Sequence, residues 1–529
     1  MFLSLACAQE EPSDGLCGNG LLDPGEVCDG AQLRGYTCVD LGYSTGTLGC
    51  RSDCDDFDFS YCDEAVGPVC GNNSAEGTEV CDGSDLRGKS CATQGWDGGI
   101  LRCTAGCGSY NTTGCWFNSG GSCPYVYLPD GRGGWRYHGD LSGSTLAAGL
   151  DFFRPEFYGE NVYDLGDFAA GGGVYDLRLR EVIFETSYVD RVELVLVDVP
   201  VGVRPYTTWS YTSQLGHVSP AGFVTTRGAR APVSAVRADG ADVIAAVRAA
   251  DGNPLPVKPH EPSRVILDFG PIANPQHAKL LLTAWGVYDD FRATQKPPFS
   301  SGTVIETQDA QGRWIVRKIA GKAAGDAKTW AIDLGPILSQ DNTKLRLTLA
   351  HNPSVVDVLD AVQLDDSLPV PSQITVVAPQ TATLSVGGAT RVTLSTLANR
   401  ISATDERLPP NPEAMMTGRA TRLGDVRPLL TKAEDRFVVM VHGDELRLRF
   451  RAPAQRSGMT RHAFLRAVVW YQLKNHPFGR LSDTIAPLPF AGMKTYPYAA
   501  ESWPYRNDRG YASYLNAWNT REITAGNGR

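Results

Sequence analysis

Hydrophobic and polar residues alternate along much of the chain after residue 123, and this pattern predicts β-strands. The clearest example is "VYDLRLREVIFETSYVDRVELVLVDVP" (174–200). Apolar residues occupy every second position of its two halves, namely Tyr175, Leu177 and Leu179, then Val192, Leu194 and Leu196. A period of two places alternate side chains on opposite faces of a strand. We therefore predict a half-buried antiparallel hairpin here.

The C-terminal segment combines further strands with a predicted helix. "RFVVMVHGDELRLRF" (436–450) predicts strands. In "GMTRHAFLRAVVWYQLKNHP", Thr460 is a candidate N-cap and Pro477 follows the end. An apolar stripe at helical spacing lies between them, formed by Phe464, Leu465, Val468, Val469 and Leu473. This pattern predicts a helix near 460–474.

Two segments of the central region repeat each other at a constant offset of 65 residues. "LDFGPIANPQHAKLLLTA" begins at Leu267 and "IDLGPILSQDNTKLRLTL" begins at Ile332. Each copy predicts a strand, a Gly-Pro turn, a loop and a second strand. We expect two related β-sandwich halves or domains, at 205–292 and 293–372. Chance convergence on a common strand-loop-strand pattern is the alternative.

A second, stronger repeat lies at the N-terminus and is defined by cysteines. The first copy contains Cys17, Cys28, Cys38, Cys50, Cys54 and Cys62, and the second contains Cys70, Cys81, Cys91, Cys103, Cys107 and Cys115. Successive spacings of 11, 10, 12, 4 and 8 residues are the same in both copies. This identity predicts a duplicated module.

Disulfide bonds and zinc binding are the two chemistries that such a module suggests. Zinc sites use CxxC pairs or mixed cysteine and histidine clusters, and these modules contain neither CxxC nor histidine. A segment this short, with few large apolar residues, needs covalent loop closure to stay folded. We therefore predict disulfides within each module, with the pairing left open. Disulfides persist in oxidising compartments, so we expect an exported protein.

The motif "CGNG…PGEVCDG…LRG…C…GTLGCRSDC" and its second copy resemble the cysteine-rich disulfide repeats of secreted and surface proteins of myxobacteria. This resemblance covers about 100 residues and implies no activity. Residues 293–372 are similar to bacterial jelly-roll modules of the galactose-binding type. Segments 123–200 and 417–521 resemble uncharacterised β-rich segments of large secreted bacterial proteins, which supports a β fold.

The first 16 residues, "MFLSLACAQEEPSDGL", resemble the end of a bacterial lipoprotein signal. In that interpretation Cys7 is the lipidated N-terminal residue. Two alternatives stay open, namely a cleaved secretory signal and a Cys7–Cys123 disulfide. No run of about 18 apolar residues occurs, so we predict no transmembrane helix.

Charge is distributed unevenly along the chain and excludes one class of partner. The formal net charge is −10, and residues 1–123 hold 18 acidic against 5 basic residues. The remainder is therefore close to neutral. Nucleic-acid binding needs a basic face, which this balance does not predict.

Acidic and aromatic residues provide two candidate sites. Both modules contain "EVCDG", so Glu26, Asp29, Glu79 and Asp82 are candidate calcium ligands. Their alternative role is to accept backbone hydrogen bonds. Aromatic residues are dense in the tail, namely Tyr496, Tyr498, Trp503, Tyr505, Tyr511, Tyr514 and Trp518. They form either a sugar-stacking surface or an anchor that buries an irregular segment on a β core, and we favour the anchor.

These patterns predict a mainly β, multidomain protein. The expected divisions are 1–16 (signal remnant and linker), 17–65 and 66–117 (disulfide repeats), 123–204 (β-rich), 205–292 and 293–372 (jelly-roll-like sandwich units), and 373–529 (β-rich with one helix). We identify no catalytic residues, and no cofactor beyond the weak calcium candidates. His138, near Asp140 and Ser142, is more consistent with a hydrogen-bonded loop.

The expected function is that of an exported bacterial cell-surface structural or interaction protein with a disulfide-stabilised N-terminal stalk. It would be a surface lipoprotein or a secreted protein, with an extracellular protein or glycan as partner. Contact with a membrane would occur only through the lipid anchor. A carbohydrate-binding protein is the first alternative, and a secreted hydrolase with an unrecognised site is the second.

Overall fold

The computed structural model divides the chain into two compact units, Met1–Phe117 and Asn118–Arg529. It describes residues 17–23, 26–41, 43–63, 70–71, 73–94, 98–99, 101–104, 106–111, 115–116, 124–141, 144–146, 160–183, 185–208, 222–256, 263–288, 302–321, 323, 325–335, 337–340, 342–349, 355–388, 390, 392–394, 401–405, 407, 415–473 and 483–524. The predicted fold class is confirmed, because the described residues form many strands and one α-helix. Within this part of the chain, no helix is long and apolar enough to cross a membrane.

The N-terminal unit contains the two cysteine modules, each built on very short strands. These are β1 (Gly49–Cys50), β2 (Phe57–Asp58), β3 (Gly98–Gly99), β4 (Arg102–Cys103), β5 (Tyr110–Asn111) and β6 (Cys115–Trp116). The antiparallel pairs are β1 with β2, β4 with β5, and β3 with β6. The 3₁₀ helices Val39–Leu41 and Ala92–Gln94 occupy equivalent positions in the two copies, so the sequence repeat is also a structural repeat.

Disulfide bonds join the cysteines of both modules in the same order. The bonds are Cys17–Cys54, Cys28–Cys50 and Cys38–Cys62 in the first module, and Cys70–Cys107 and Cys81–Cys103 in the second. Cys91, the equivalent of Cys38, is also disulfide-bonded. Disulfide formation is thus confirmed for these eleven residues. The side chain of Cys115, and all of Cys7 and Cys123, lie outside the described residues.

One β-sandwich is formed by the first and last parts of the second unit together. We name it the host sandwich. Sheet A contains β7 (Tyr125–Pro129), β8 (Trp135–Asp140), β11 (Val174–Arg180), β24 (Thr381–Val386), β28 (Gly424–Asp425) and β30 (Asp444–Arg451). Sheet B contains β9 (Ser144–Leu146), β10 (Glu160–Asp164), β12 (Glu185–Pro200), β23 (Gln373–Val377), β29 (Val438–Val441) and β31 (Met459–Leu473). Strand order is β28-β24-β30-β11-β7-β8 in sheet A and β10-β31-β12-β23 in sheet B, where β29 also pairs with β12 and β9 with β31. Residues expected in two domains, 123–204 and 373–529, therefore share both sheets and one core.

The chain between β12 and β23 forms a second sandwich, which we name the inserted sandwich. Its five-stranded sheet contains β15 (Ser234–Arg237), β16 (Arg264–Asp268), β18 (Thr303–Gln308), β19 (Trp314–Ala320) and β21 (Lys344–Thr348). Its three-stranded sheet contains β17 (Lys279–Tyr288), β20 (Lys328–Asp333) and β22 (Val355–Asp365), and β13 (Arg204–Thr207) pairs separately with β14 (Phe223–Thr226). Strands from 205–292 and from 293–372 share both large sheets. The two predicted units are thus interleaved parts of one sandwich.

The 65-residue repeat appears in this sandwich as a local two-fold relation. The first copy supplies β16 and β17, and the second supplies β20 and β21. β16 pairs with β21 so that Asp268 lies opposite Lys344. β17 pairs with β20 so that Asp333, the equivalent of Asp268, lies opposite Lys279, the equivalent of Lys344. The same register on both sides supports a real internal repeat over chance convergence.

The predicted hairpin at 174–200 is correct in its strands and wrong in its pairing. β11 lies in sheet A, where it pairs with β30 and β7. β12 lies in sheet B, where its partners are β31, β23 and β29. The alternating apolar residues of both strands are buried, but they face each other across the core. Val182 and Ile183 are buried in the connection, which crosses from one sheet to the other.

The helix predicted near 460–474 is wrong, because these residues form β31. This strand is central in sheet B, and apolar side chains on both of its faces are buried. Leu465 and Val469 belong to the core of the host sandwich, whereas Phe464 belongs to a smaller cluster on the other face of the sheet. A strand buried on both faces gives a nearly continuous apolar run, in which a helical stripe can be found by accident.

The remaining elements are short; the 3₁₀ helices Ile244–Ala246 and Pro275–His277 lie in the inserted sandwich, and the others complete the host sandwich. The strands are β25 (Val392–Leu394), β26 (Ile401–Ala403), β27 (Gly418–Ala420) and β32 (Arg521–Ile523). The 3₁₀ helices are Ile244–Ala246, Pro275–His277, Arg427–Leu430 and Ala500–Ser502, and the α-helix α1 is Arg509–Trp518. Asp508 caps α1 by accepting hydrogen bonds from the N–H groups of Gly510 and Tyr511 at 2.7 and 3.1 Å, as acidic N-cap residues commonly do.

Candidate binding surface

The candidate calcium ligands Asp29 and Asp82 lie in equivalent positions and bind backbone amides. Asp29 is fully buried, and its carboxylate accepts hydrogen bonds from the N–H groups of Gly18, Asn19 and Gly20 at 2.8, 3.1 and 3.2 Å. Asp82 accepts equivalent bonds from residues 71 and 73 at 2.8 and 3.2 Å. The carboxylate thus closes the first loop of each module, and this geometry favours the role of structural acceptor.

Glu26 and Glu79, the other two candidates, each lie beside a disulfide. Their carboxylates are within 4.8 Å of the sulfur atoms of Cys17–Cys54 and Cys70–Cys107 respectively. A sulfur atom in a disulfide is not the thiolate that binds metals. Each of these groups therefore offers a single carboxylate, far fewer than the six to eight oxygen ligands that calcium takes.

The predicted loop residues His138 and Asp140 make separate interactions in the host sandwich. The Nε2 atom of His138 lies 3.0 Å from the carbonyl oxygen of Asp164. Burial lowers the pKa of this imidazole. Asp140 accepts a hydrogen bond from Lys328 Nζ at 2.7 Å and from the N–H of Asp326 at 2.8 Å, both in the inserted sandwich. Asp140 therefore joins the two sandwiches. Ser142 lies outside the described residues.

The aromatic residues of the tail are part of the host core. Tyr496, Tyr511 and Tyr514 are buried, and the other four pack against the same cluster. Four of the five tyrosine hydroxyl groups donate to main-chain oxygens, as in the 2.9 Å bond from Tyr514 to Phe437. The hydroxyl group of Tyr505 donates to the carboxylate of Asp435. The role of anchor for an irregular segment is thus supported, and these rings do not form an open sugar-stacking surface.

A different surface of the host sandwich combines positive charge with aromatic rings. The side chains of sheet A that point away from the core form it, together with residues 405 and 407 above β11. We name it the arginine face. Its charged members on β11, β30 and the covering segment are Asp176, Arg178, Arg180, Asp405, Arg407, Glu445, Arg447, Arg449 and Arg451, and its aromatic members on β7 and β8 are Tyr125, Tyr127, Trp135 and Tyr137.

Two arginines of this face are direct cross-strand partners. Arg178 of β11 lies opposite Arg447 of β30. Like charges in this position destabilise a sheet. Both guanidinium groups lie over the ring of Trp135, with Cζ at 4.0 Å from the ring centroid for Arg178 and 5.8 Å for Arg447. The ring therefore offsets part of this repulsion through cation–π contact.

One carboxylate oxygen gathers three arginines at the centre of the face. Glu445 Oε2 accepts from Arg178 Nη1 at 3.0 Å, from Arg180 Nε at 2.8 Å and from Arg407 Nη2 at 3.3 Å. Asp405 accepts a further bond from Arg180 Nη2 at 2.6 Å. The two carboxylates thus offer fewer acceptor atoms than the three arginines have N–H donors. Burial lowers the pKa of Arg178, although the nearby Glu445 charge acts in the opposite direction.

The edge of the face toward solvent is held by a third acidic residue. Asp176 accepts two bonds from Arg447, at 3.0 and 2.7 Å, and lies 3.5 Å from Arg449. This hydrogen bonding raises the pKa of Arg447. The side chains of Arg407, Arg447 and Arg449 are 49, 45 and 48 % exposed, so three charged groups remain accessible to a ligand.

Tyrosine rings close the opposite end of the arginine face. Tyr125 and Tyr127 are fully buried and pack with Ala403 of β26. Tyr127 donates a hydrogen bond to the carbonyl oxygen of Thr404 at 3.3 Å, and its ring lies 4.3 Å from Arg180 Cζ. Residues 403–405 cover this end of the face. The open part of the face therefore consists of the Trp135 end and the exposed arginines.

Sequence reasoning missed this surface, although its signal is present in the strands. "DLRLR" and "ELRLRFR" each place arginines at every second position. The two segments lie 271 residues apart at the Arg447–Asp176 bond. Only the pairing of β11 with β30 brings them onto one face.

No known protein family matches this chain, and no curated protein matches it. A functional assignment therefore depends on the residues and their geometry. The disulfide pattern and the arginine face are the two features on which it can be built.

Proposed function

We propose that this chain is an exported bacterial cell-surface protein with a structural or interaction role. The observation that carries the proposal is the duplicated module, in which the resolved disulfide bonds of both copies follow one pattern. Disulfide bonds persist mainly in oxidising compartments. The modules also depend on them, because the buried cluster of the first contains, among its described residues, only Leu48 and Phe57 besides cysteines.

In this proposal the two modules form a covalently stabilised stalk that carries the sandwiches. The protein is either a surface lipoprotein anchored through Cys7 or a secreted protein. The sandwiches then present their surfaces to an extracellular protein or glycan. Resistance to unfolding and proteolysis is the property that a duplicated disulfide module supplies in such a position.

The proposal can be tested on protein isolated from the envelope fraction of the producing bacterium. Peptide mass mapping without reduction is expected to recover the peptides Cys17–Cys54 and Cys70–Cys107 as linked pairs. Protease added to intact cells is expected to remove the sandwiches. An acylated Cys7 identifies the lipoprotein form. An exported protein without acylated Cys7 identifies the secreted form. Free thiols throughout the modules would contradict export.

A carbohydrate-binding role is the second candidate, and the arginine face favours it. Trp135 and the neighbouring arginines lie on the open face of a β-sandwich sheet. Flat surfaces that combine aromatic rings and fixed hydrogen-bond donors suit sugar polymers, which present both apolar ring faces and polar groups.

A further inference from the structure

The arginine face concentrates positive charge in an acidic protein. Six arginines and three acidic residues form its described charged members on β11, β30 and the covering segment. The whole chain, in contrast, carries a formal charge of −10. Arginine is the side chain best suited to planar, two-point binding of carboxylate and similar oxyanions. The local charge therefore matches an anionic ligand.

Two guanidinium groups of this face each contain a buried nitrogen atom with no hydrogen-bond partner among the described residues. Arg180 is only 1 % exposed, and its Nη1 atom has no partner among the described residues. The Nε atom of Arg178 also has no hydrogen-bond partner among the described residues. A buried donor without an acceptor costs about 1–3 kcal/mol, so such groups in a folded protein need an explanation. An oxyanion that reaches Arg178 from the open part of the face would supply an acceptor for its Nε atom.

The face is also held rigid before any ligand arrives. Arg178 is fixed by Glu445 on one side and by the ring of Trp135 on the other. Arg447 is fixed by its paired bonds to Asp176. Groups that are already ordered lose little conformational entropy on binding. The cost of holding Arg178 opposite Arg447 is consistent with selection for binding, because a solvated sheet face has no need of two opposed arginines.

The geometry points to an acidic polysaccharide as the ligand of the arginine face, with its carboxylate groups bound by the arginines. This inference rests on the carbohydrate-binding candidate above and names its substrate class. Alternate residues of a strand lie about 6.8 Å apart. Arg447 and Arg449 are alternate residues of β30, so they form a short row of guanidinium groups that can bind successive charges of one polymer. Trp135 lies beside this row with Arg178 over its ring, and its partly exposed side can contact a sugar ring.

Affinity electrophoresis through gels that contain polygalacturonate tests this inference. The full chain is expected to be retarded by polygalacturonate at low salt, less at high salt, and not by neutral dextran. The variant Arg407→Gln/Arg447→Gln/Arg449→Gln removes the three exposed charges and is expected to bind roughly tenfold more weakly or worse. Arg419→Gln is the matched control. Arg419 is 62 % exposed and lies in β27 of the same sandwich, where it pairs with Glu522, so its loss should leave retardation unchanged.

Thermal unfolding of each variant shows whether it is folded. If the triple variant fails to fold, Arg449→Gln alone replaces it, because Arg449 contacts Asp176 only at 3.5 Å. Equal retardation of wild type and variant, equal retardation by dextran, or no retardation of wild type would overturn the inference. Tighter binding of a DNA oligomer than of polygalacturonate would also overturn it.

The two proposals fail in different experiments. If the protein is found at the cell surface with the expected disulfides but does not bind polygalacturonate, the proposed export stands and the assigned ligand is wrong. A protein that binds polygalacturonate but carries reduced modules in the cell would keep the binding site and remove the surface role.

Discussion

Buried acidic residues hold loops in both units of this protein by accepting backbone hydrogen bonds. Asp29 does so in the first module, where it closes the turn that follows Cys17. Asp365 is fully buried in the inserted sandwich and accepts from the N–H groups of Arg227 and Gly228 at 3.0 and 2.8 Å. These residues satisfy donors that would otherwise be buried without partners, so each is expected to be costly to replace.

Replacement of Asp29 by alanine should loosen the first module. Three amide donors lose their common acceptor, which should destabilise the module by about 2 kcal/mol or more. Under limiting reductant, alkylation of Cys17 and Cys54 should become roughly thirtyfold faster. Asp55→Ala is the control, because Asp55 is an exposed acidic residue of the same module. Equal alkylation rates in the two variants would show that the amide contacts of Asp29 contribute nothing.

His442 should make the host sandwich sensitive to acid. Burial lowers its pKa from 6.5 to about 4, and its Nδ1 atom faces the carbonyl oxygen of Ile183 at 3.3 Å. Between these two pH values the unfolded chain binds a proton that the folded chain excludes. Stability is therefore full above pH 6.5 and falls with acidification, by about 3 kcal/mol once pH reaches the folded pKa.

Urea unfolding of wild type and His442→Gln at a series of pH values measures this effect. The free energy of unfolding of the wild type should fall more steeply with acidification than that of the variant. Below the folded pKa the two curves should run parallel again. Parallel curves over the whole range would contradict a depressed pKa for His442.

At the scale of elements, the sequence predicts strands well and their partners poorly. β11 and β12 could be placed because their inward residues alternate, and these residues are buried. Their partners could not be placed, because β30 and β31 lie more than 250 residues further along the chain. β31 was also assigned to the wrong class, since burial on both faces removes the alternation that identifies a strand.

The candidate site was harder to predict than the fold for the same reason. The repeated cysteine spacing predicts disulfide formation within each module but leaves the pairing open, and eleven of the expected cysteines are bonded. The arginine face needs the register of β11 against β30, which only tertiary packing fixes. The 65-residue repeat was visible because Asp268 and Asp333 begin matching Asp-x-Gly-Pro segments. Each carboxylate accepts from a following glycine, at 2.9 Å for Gly270 and 3.0 Å for Gly335.

The junction between the two sandwiches should fail when a side chain is added at Gly325. This residue has φ of +67°, and a Cβ atom there would overlap the Asp140 carboxylate. Asp140 is fully buried and bonded to Lys328, so displacing it separates a buried ion pair, a change that typically costs about 3–5 kcal/mol. Gly325→Ala should therefore lower the midpoint of urea unfolding strongly.

Gly312→Ala is the matched control for this junction. Gly312 has φ of +74°, and no atom lies within 4 Å of the position of an added Cβ. Its replacement by alanine should lower the free energy of unfolding only through backbone strain, by about 1 kcal/mol. Similar losses in the two variants would show that contact with Asp140 does not hold the sandwiches together.

At the scale of the whole molecule, two different physical effects stabilise the two units. All 14 cysteines lie at or before residue 123, so both sandwiches depend on the burial of apolar side chains. The host and inserted sandwiches each have a large core of fully buried residues, which supplies that stability. The modules have small cores, such as the cluster of Cys91 and Leu101, and depend on covalent closure.

Reduction of the disulfides should therefore unfold the N-terminal unit and leave the second unit folded. Removal of a native disulfide from a small domain costs about 2–5 kcal/mol, which is comparable with the total stability of such a domain. In differential scanning calorimetry, reductant should abolish the transition of the modules and leave that of the sandwiches in place. Limited proteolysis of the reduced protein should then cut within residues 17–116 and preserve a fragment that begins near residue 124. Loss of both transitions on reduction would contradict this division, because it would mean that the sandwiches cannot stay folded without the modules.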